Sequence, residues 1–248
     1  MIQRRAHSKA ADGRCRQLLV SGIIIGMVTF VPSARGETIV LGTSGWQVSW
    51  DSSLDNFVDI VVDAIIGDTL FIQKSAEFTQ GPGPDGLFPT IPITFAQIDA
   101  DAVTTIAIND EIITNSTGFD WTDFHFELLD GDDAVFDEEA TNGSAGGAGF
   151  STFPFDNQMF SDAAMSFWVD GFGLGNPDAL VEDGTQWFPG DGAFDGELYI
   201  DLMLGAGTDQ DPFTVFSFKE TPTPEPTTLI MLLVGGLLAL RPARDGHV

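Results

Sequence analysis

The sequence predicts an all-β protein whose body is a single β-sandwich of the jelly-roll or immunoglobulin-like type. Short runs rich in β-branched and aromatic residues recur along the chain, and turn-forming segments separate them. The 28 glycines and 13 prolines supply those turns. The body shows no amphipathic helical period, and the 21 phenylalanines of the chain can fill the layer between two sheets.

The first 36 residues have the composition of a secretory signal peptide. The basic residues of its leader are Arg4, Arg5, Lys9, Arg14 and Arg16. An apolar stretch over residues 18–31 follows, which we expect to form the signal helix. Ala34 and Gly36 supply small residues at the −3 and −1 positions, so we expect the secretion machinery to export the chain and cleave it after Gly36. An uncleaved N-terminal anchor is the alternative.

The predicted body, residues 37–220, is long enough for one domain with a substantial core. It contains 34 acidic residues against two lysines and has no arginine. Such a surface repels phosphate groups, so the composition excludes nucleic acid as a partner and argues against phosphorylated substrates. Calcium or magnesium ions are the expected counterions.

The body also has few residues for thiol or transition-metal chemistry. The single cysteine, Cys15, precedes the apolar core of the signal peptide and leaves with it. Of the three histidines only His125 lies in the body. We therefore expect no disulfide, no thiol nucleophile and no zinc site built on paired histidines in the mature chain.

Strand patterns follow one another through the body. In the first half, strands are predicted over residues 38–41, 46–50, 57–66, 69–72, 91–98 and 103–114. Gly67 and Asp68 form a two-residue hairpin connection, and Pro92 suggests an edge position or a strand start. In the second half, strands are predicted at the end of 115–128 and over 165–169, 197–204 and 213–218, with a mobile acidic and glycine-rich loop over 130–149.

Residues 221–248 form a tail in three parts. The alternating prolines of residues 222–226 predict an extended, polyproline-like spacer and disfavour a central strand. Residues 229–240 are apolar and predict a short hydrophobic helix, and Arg241 and Arg244 suit the cytoplasmic side of a membrane. With the two preceding threonines this helix is about 21 Å long, against a hydrocarbon core of about 30 Å, so it is short for a permanent span. A buried C-terminal core helix is the alternative.

This tail resembles the PEP-CTERM sorting signal, also known as the ice-binding protein C-terminal motif. The matching features are Pro224, Glu225, Pro226, the apolar run, Arg241 and Arg244. The resemblance implies recognition by an exosortase in the inner membrane, with cleavage near Pro-Glu-Pro. It also implies a Gram-negative host, often one that makes exopolysaccharide, and a transient inner-membrane anchor before arrival at the cell surface or outside the cell.

Residues 115–128 resemble a turn and strand of the β-sandwich bodies that exported PEP-CTERM proteins carry. The matching residues are Asn115, Thr117, Gly118, Trp121, Thr122, Asp123 and His125. That group has no agreed activity, so the resemblance implies the architecture alone. In the predicted strand, Phe124, Phe126 and Leu128 share one face and His125 and Glu127 share the other.

One acidic cluster is a candidate calcium site, with calcium as the only cofactor we consider. Its members are Asp130, Asp132, Asp133 and Asp137, followed by Glu138 and Glu139. Calcium would gather their oxygens and reduce their mutual repulsion, although the order of acids differs from that of an EF-hand loop. A solvated acidic loop is the alternative, and Asp191, Asp195 and Glu197 form a second, weaker candidate.

His125 is the one candidate general base of the body, with Asp123 and Glu127 two residues to either side. No Gly-x-Ser-x-Gly elbow accompanies it, which favours a structural cross-strand histidine and assigns no catalytic residue. Our first functional hypothesis is therefore a non-catalytic structural or adhesive protein of the cell surface or extracellular matrix. The alternative is a carbohydrate-binding or glycan-cleaving β-sandwich that could depend on calcium and use its five tryptophans against sugar rings.

Overall fold

The computed structural model describes residues 37–129, 133–143, 149–161, 163–171, 179–189 and 196–224. Within these ranges the chain forms mostly β-strands, which lie in two sheets, with one 3-10 turn (Ser52–Leu54) and one four-residue helix, α1 (Glu138–Thr141). The first strands are β1 (Thr38–Val40), β2 (Trp46–Ser49), β3 (Val58–Ile66), β4 (Thr69–Phe78), β5 (Ile91–Gln97), β6 (Thr105–Asn115) and β7 (Trp121–Leu129). The others are β8 (Ala134–Phe136), β9 (Asn157–Phe160), β10 (Ser166–Asp170), β11 (Gln186–Trp187), β12 (Leu198–Leu202) and β13 (Val215–Pro224). The all-β prediction is confirmed, while both predicted terminal helices lie outside the described residues.

The two sheets differ in size and in strand direction. The seven-stranded sheet has the order β1-β2-β5-β13-β7-β10-β9, and its neighbouring strands are antiparallel. The six-stranded sheet has the order β3-β4-β6-β12-β8, with β11 added beside β6. Its β4 and β6 run parallel, which requires a long crossover, and β5 in the other sheet lies within that connection.

The predicted hairpin between residues 57 and 72 is confirmed. β3 and β4 pair antiparallel, and Gly67 and Asp68 are the two residues between them. Gly67 has a φ of +61°, a conformation that residues with a Cβ rarely adopt and that two-residue hairpins demand. Pro92 lies near the start of β5, where only β13 pairs with it, because β2 joins β5 from Thr94 onward.

The predicted polyproline spacer is wrong for its first three residues. β13 continues through Pro222, Thr223 and Pro224, all paired with β7. The physical reason is that β5 begins at Ile91, opposite Glu220, so beyond Glu220 one side of β13 is an open edge. A proline has no N–H to donate and is tolerated at such an edge. The body therefore extends past the predicted boundary at residue 220.

The predicted mobile loop over residues 130–149 is also wrong for its described part. Residues 134–136 form β8 beside β12, and residues 138–141 form α1. The Asp137 carboxylate caps this helix by accepting a hydrogen bond from the Ala140 backbone N–H at 3.0 Å. An acidic residue is favourable at a helix N-terminus, so a run that is acidic in sequence can fold locally.

Aromatic rings fill the core between the sheets, as the phenylalanine content predicts. Phe126 of β7 is fully buried at its centre. Its ring stacks on Phe167 at 5.7 Å and on Phe218 at 5.9 Å, which joins three neighbouring strands of one sheet. Trp187, from the six-stranded sheet, lies 6.2 Å from the same ring and ties the two layers together.

The two lysines of the body occupy opposite environments. Lys219 lies on the outward side of β13, where it forms an ion pair with Glu127. Lys74 is fully buried in β4, and its Nζ lies 2.7 Å from Oε2 of Glu220, which is fully buried as well. Because β4 and β13 belong to different sheets, this ion pair crosses the core.

Candidate functional site

The outward face of β7 carries the polar groups that the sequence singled out. Phe124, Phe126 and Leu128 are buried, while His125 and Glu127 are partly exposed on the opposite side. This division confirms the predicted alternation, since successive side chains of a strand point to opposite faces. We define the outward cluster as Asp123, His125 and Glu127 of β7, Trp168 of β10 and Lys219 of β13.

His125 is held from three sides. Its Nε2 lies 2.7 Å from Oδ1 of Asp123, and the Thr223 hydroxyl donates to that same oxygen at 3.0 Å. Trp168, directly across from it on β10, stacks on the imidazole with ring centres 6.1 Å apart. The cluster therefore links β10 and β7 to the last residues of β13.

A histidine with an orienting carboxylate resembles half of a catalytic unit. The other half would be a nucleophile hydrogen-bonded to the imidazole. Among the hydrogen bonds of the described residues, none joins a serine or threonine hydroxyl to His125, and the hydroxyl of nearby Thr223 donates to Asp123. The geometry thus gives the pair a means of joining strands, and the structural interpretation of His125 stays a prediction.

The neighbours of His125 predict a pH dependence of stability. The hydrogen bond to Asp123 raises the pKa of His125 above its ordinary value of 6.5, and the charges of Asp123 and Glu127 act in the same direction, against burial and Lys219. A pKa raised by folding contributes stability that is complete below the unfolded pKa and lost as pH rises through the folded pKa. We expect His125→Gln to lower the melting temperature near pH 5.5 and to have little effect near pH 9.

The contribution is small, less than about 1 kcal/mol, because the His125 side chain is 39% exposed and solvent screens the pair. The measurement is the difference in melting temperature between wild type and variant across this pH range. Asp123→Asn is the control, because it removes the main cause of the raised His125 pKa. In that background, the effect of His125→Gln on the melting temperature should no longer depend on pH. A His125→Gln effect that grows with pH would contradict the assignment.

Hydrogen bonds within the turn before β7 account for several residues of the stretch 115–121. Asn115 is fully buried, and its Nδ2 donates to the carbonyls of Phe119 and Val181 at 2.8 and 3.0 Å. Its Oδ1 accepts from the backbone N–H and hydroxyl of Thr117, which in turn accepts from the Trp121 indole at 3.3 Å. Gly118 has a φ of +80°. These residues lock a turn and are not presented to a ligand.

Of the four predicted calcium ligands, the structure describes Asp133 and Asp137. Asp130 and Asp132 lie outside the described residues. Asp137 is committed to the cap of α1, and the Asp133 carbonyl accepts from the backbone N–H of Met203 at 2.8 Å. No group of three or more potential metal ligands occurs among the described residues. Of the second candidate, Asp191 and Asp195 are likewise outside, and Glu197 is buried. Calcium binding stays a prediction.

An open groove that the sequence did not predict lies between residues 151–154 and 180–188. Its volume is about 700 Å³. Phe153 and Phe188 border it and are 80% and 51% exposed, and Ser151, Glu182 and Gln186 supply polar groups. Exposed rings beside hydrogen-bonding side chains suit the apolar face of a sugar ring. Neither segment shows an extended strand pattern in the sequence, so the groove could not be predicted from it.

The sorting-motif residues fall at the limit of the described chain. Pro224 ends β13, whereas Glu225, Pro226, Arg241 and Arg244 lie outside, as do Ala34 and Gly36 of the predicted signal site. No helix within the described ranges has the length and apolarity needed to cross a membrane. Comparison of this chain with family models, with curated proteins and with solved structures gave no match.

Proposed function

We propose that this protein is a non-catalytic structural or adhesive component of the cell surface or extracellular matrix, exported and sorted through its C-terminal tail. We include in the proposal a jelly-roll or immunoglobulin-like topology for the body and exopolysaccharide as a surrounding partner. The body's 34 acidic residues, against two lysines, suit a hydrated exterior more than a phosphate-rich cytoplasm.

The observation that carries the proposal is the position of β13. This strand lies between β5 and β7 of the seven-stranded sheet as far as Glu220, stays paired with β7 beyond it, and ends at Pro224, the first residue of Pro-Glu-Pro. A segment that leaves the body from an interior strand keeps the folded domain close to whatever holds the tail. A processing enzyme would then find its target site at the edge of a folded body and not in a long loose linker.

The proposal predicts that the mature protein lacks both ends. Expressed in a Gram-negative host that has an exosortase, the protein recovered from the surface or medium should begin at Glu37 and end near residues 224–226. Intact-mass measurement checks both ends at once. We expect the paired change Glu225→Ala and Pro226→Ala to leave the tail attached and the protein in the membrane fraction.

Pro222→Ala provides the matched control. It changes a proline near the end of β13 but leaves the Pro-Glu-Pro sequence intact. The sorting of this variant should therefore equal that of wild type. Recovery of a surface protein that still carries residues 229–248 would contradict processing of the tail. Recovery of wild type in the cytoplasm with residues 1–36 attached would contradict export.

A further inference from the structure

The buried ion pair between Lys74 and Glu220 has the geometry of two groups placed to react. Both side chains have no solvent exposure, and Nζ lies 2.7 Å from Oε2. Because the carboxyl carbon is one bond from Oε2, it lies at most about 4 Å from Nζ, close to the separation of about 3–3.5 Å from which oriented groups react.

Several of the residues around this pair are apolar. Ile60 is opposite Lys74 on β3, and Phe126 and Ile91 flank Glu220 on the strands either side of β13. The Phe218 ring centre lies 5.8 Å from Nζ. An apolar environment disfavours charge, so proton transfer from the ammonium to the carboxylate is less costly here than in water. That transfer produces a free amine and a neutral acid, which are the reactive forms.

We propose that Lys74 and Glu220 condense after folding into an intramolecular amide bond that covalently joins the two sheets. The Nζ–Cδ bond forms and one Cδ–O bond breaks. The ammonium first gives one proton to the carboxylate, the amine attacks Cδ, and the nitrogen then gives a second proton to the departing oxygen. An ammonium and a carboxylate thus become one amide and one water molecule, with no oxidant, reductant or other reactant required.

The product removes two groups that are costly to bury. An amide has no net charge, and the water molecule leaves for bulk solvent. The sealed core then keeps water away from the new bond, which opposes hydrolysis. A cross-link between residues 74 and 220 also constrains most of the body as a single loop.

Lys219 of β13 and Glu127 of β7 form an internal control, one residue along β13 from Glu220. They too are in contact, but both side chains are partly exposed. Solvent supplies water to reverse any condensation, so this pair should remain an ion pair. The inference stands independently of the proposed sorting, since the bond would form in any compartment in which the body folds.

The test is mass spectrometry of the full chain purified after expression. We expect the wild-type protein to lie about 18 Da below the mass of its sequence, the mass of one water molecule. Trypsin should fail to cut the denatured protein after Lys74 and should cut there in the Glu220→Met variant. Peptide sequencing after digestion with Asp-N protease and chymotrypsin should find residues 74 and 220 in one branched peptide.

Variants distinguish this amide bond from other reactions in which the protein loses a water molecule. Lys74→Met and Glu220→Met should each restore the full mass, whereas Lys219→Met should keep the deficit. Aspartyl succinimides, which form at sites such as Asp85-Gly86, also lose water, but hydroxylamine cleaves them and leaves an amide intact. A wild-type mass equal to that of the sequence would overturn the proposal. A bond from Lys74 to another acid would overturn the assignment to Glu220.

Discussion

Replacing Phe126 by alanine lowers the free energy of unfolding by about 3–5 kcal/mol. The Phe126 ring is fully buried and lies within 6.2 Å of rings from both sheets. Its removal loses the transfer free energy of the side chain and leaves a cavity that packed neighbours cannot fill. Since the total stability of a domain is about 5–15 kcal/mol, the change removes a large share of it.

Urea unfolding followed by tryptophan fluorescence measures this effect. Phe153→Ala is the matched control, because that ring is 80% exposed and borders the open groove. Its expected change in the free energy of unfolding is within about 0.5 kcal/mol. Equal losses for the two variants would mean that Phe126 does not occupy the centre of a shared core.

Much of this fold could be predicted from local patterns. The hairpin of β3 and β4 and the alternation of buried Phe124, Phe126 and Leu128 depend on neighbours in sequence, and both were predicted. The contacts of the outward cluster depend on which strands become neighbours. Trp168 meets His125 only because β10 pairs with β7, and one sequence does not specify that pairing.

The two strands that carry the buried ion pair were both predicted too short. β4 was predicted to end at residue 72 and β13 at residue 218, each just before a charged residue that the strand in fact buries. The alternation of buried and less buried side chains continues along both strands, and it places Lys74 and Glu220 on the buried side. At each site considered alone, the charge of the side chain disfavours burial. The compensating partner lies 146 positions away in sequence and on the other sheet, so local reasoning could not supply it.

Glu220→Met is the second change with a large expected effect. It removes the Glu220 carboxyl group from beside the buried amino group of Lys74. Removing one partner of a fully buried pair costs about 3–5 kcal/mol, to which the loss of the proposed cross-link adds. Lys74→Met should cost a similar amount. Glu127→Met, which breaks the partly exposed pair with Lys219, is the control and should cost less than about 1 kcal/mol.

The double variant Lys74→Met, Glu220→Met decides what kind of pair this is. Were the pair ionic, replacing both groups by apolar ones would be neutral or would stabilise the protein by about 1–4 kcal/mol. With the amide bond, the double change also releases a loop of more than a hundred residues, whose closure is worth about 5 kcal/mol in the chain-entropy model. We therefore expect the double variant to be less stable than wild type in urea by up to about 5 kcal/mol. A double variant at least as stable as wild type would contradict the bond and leave the ion pair.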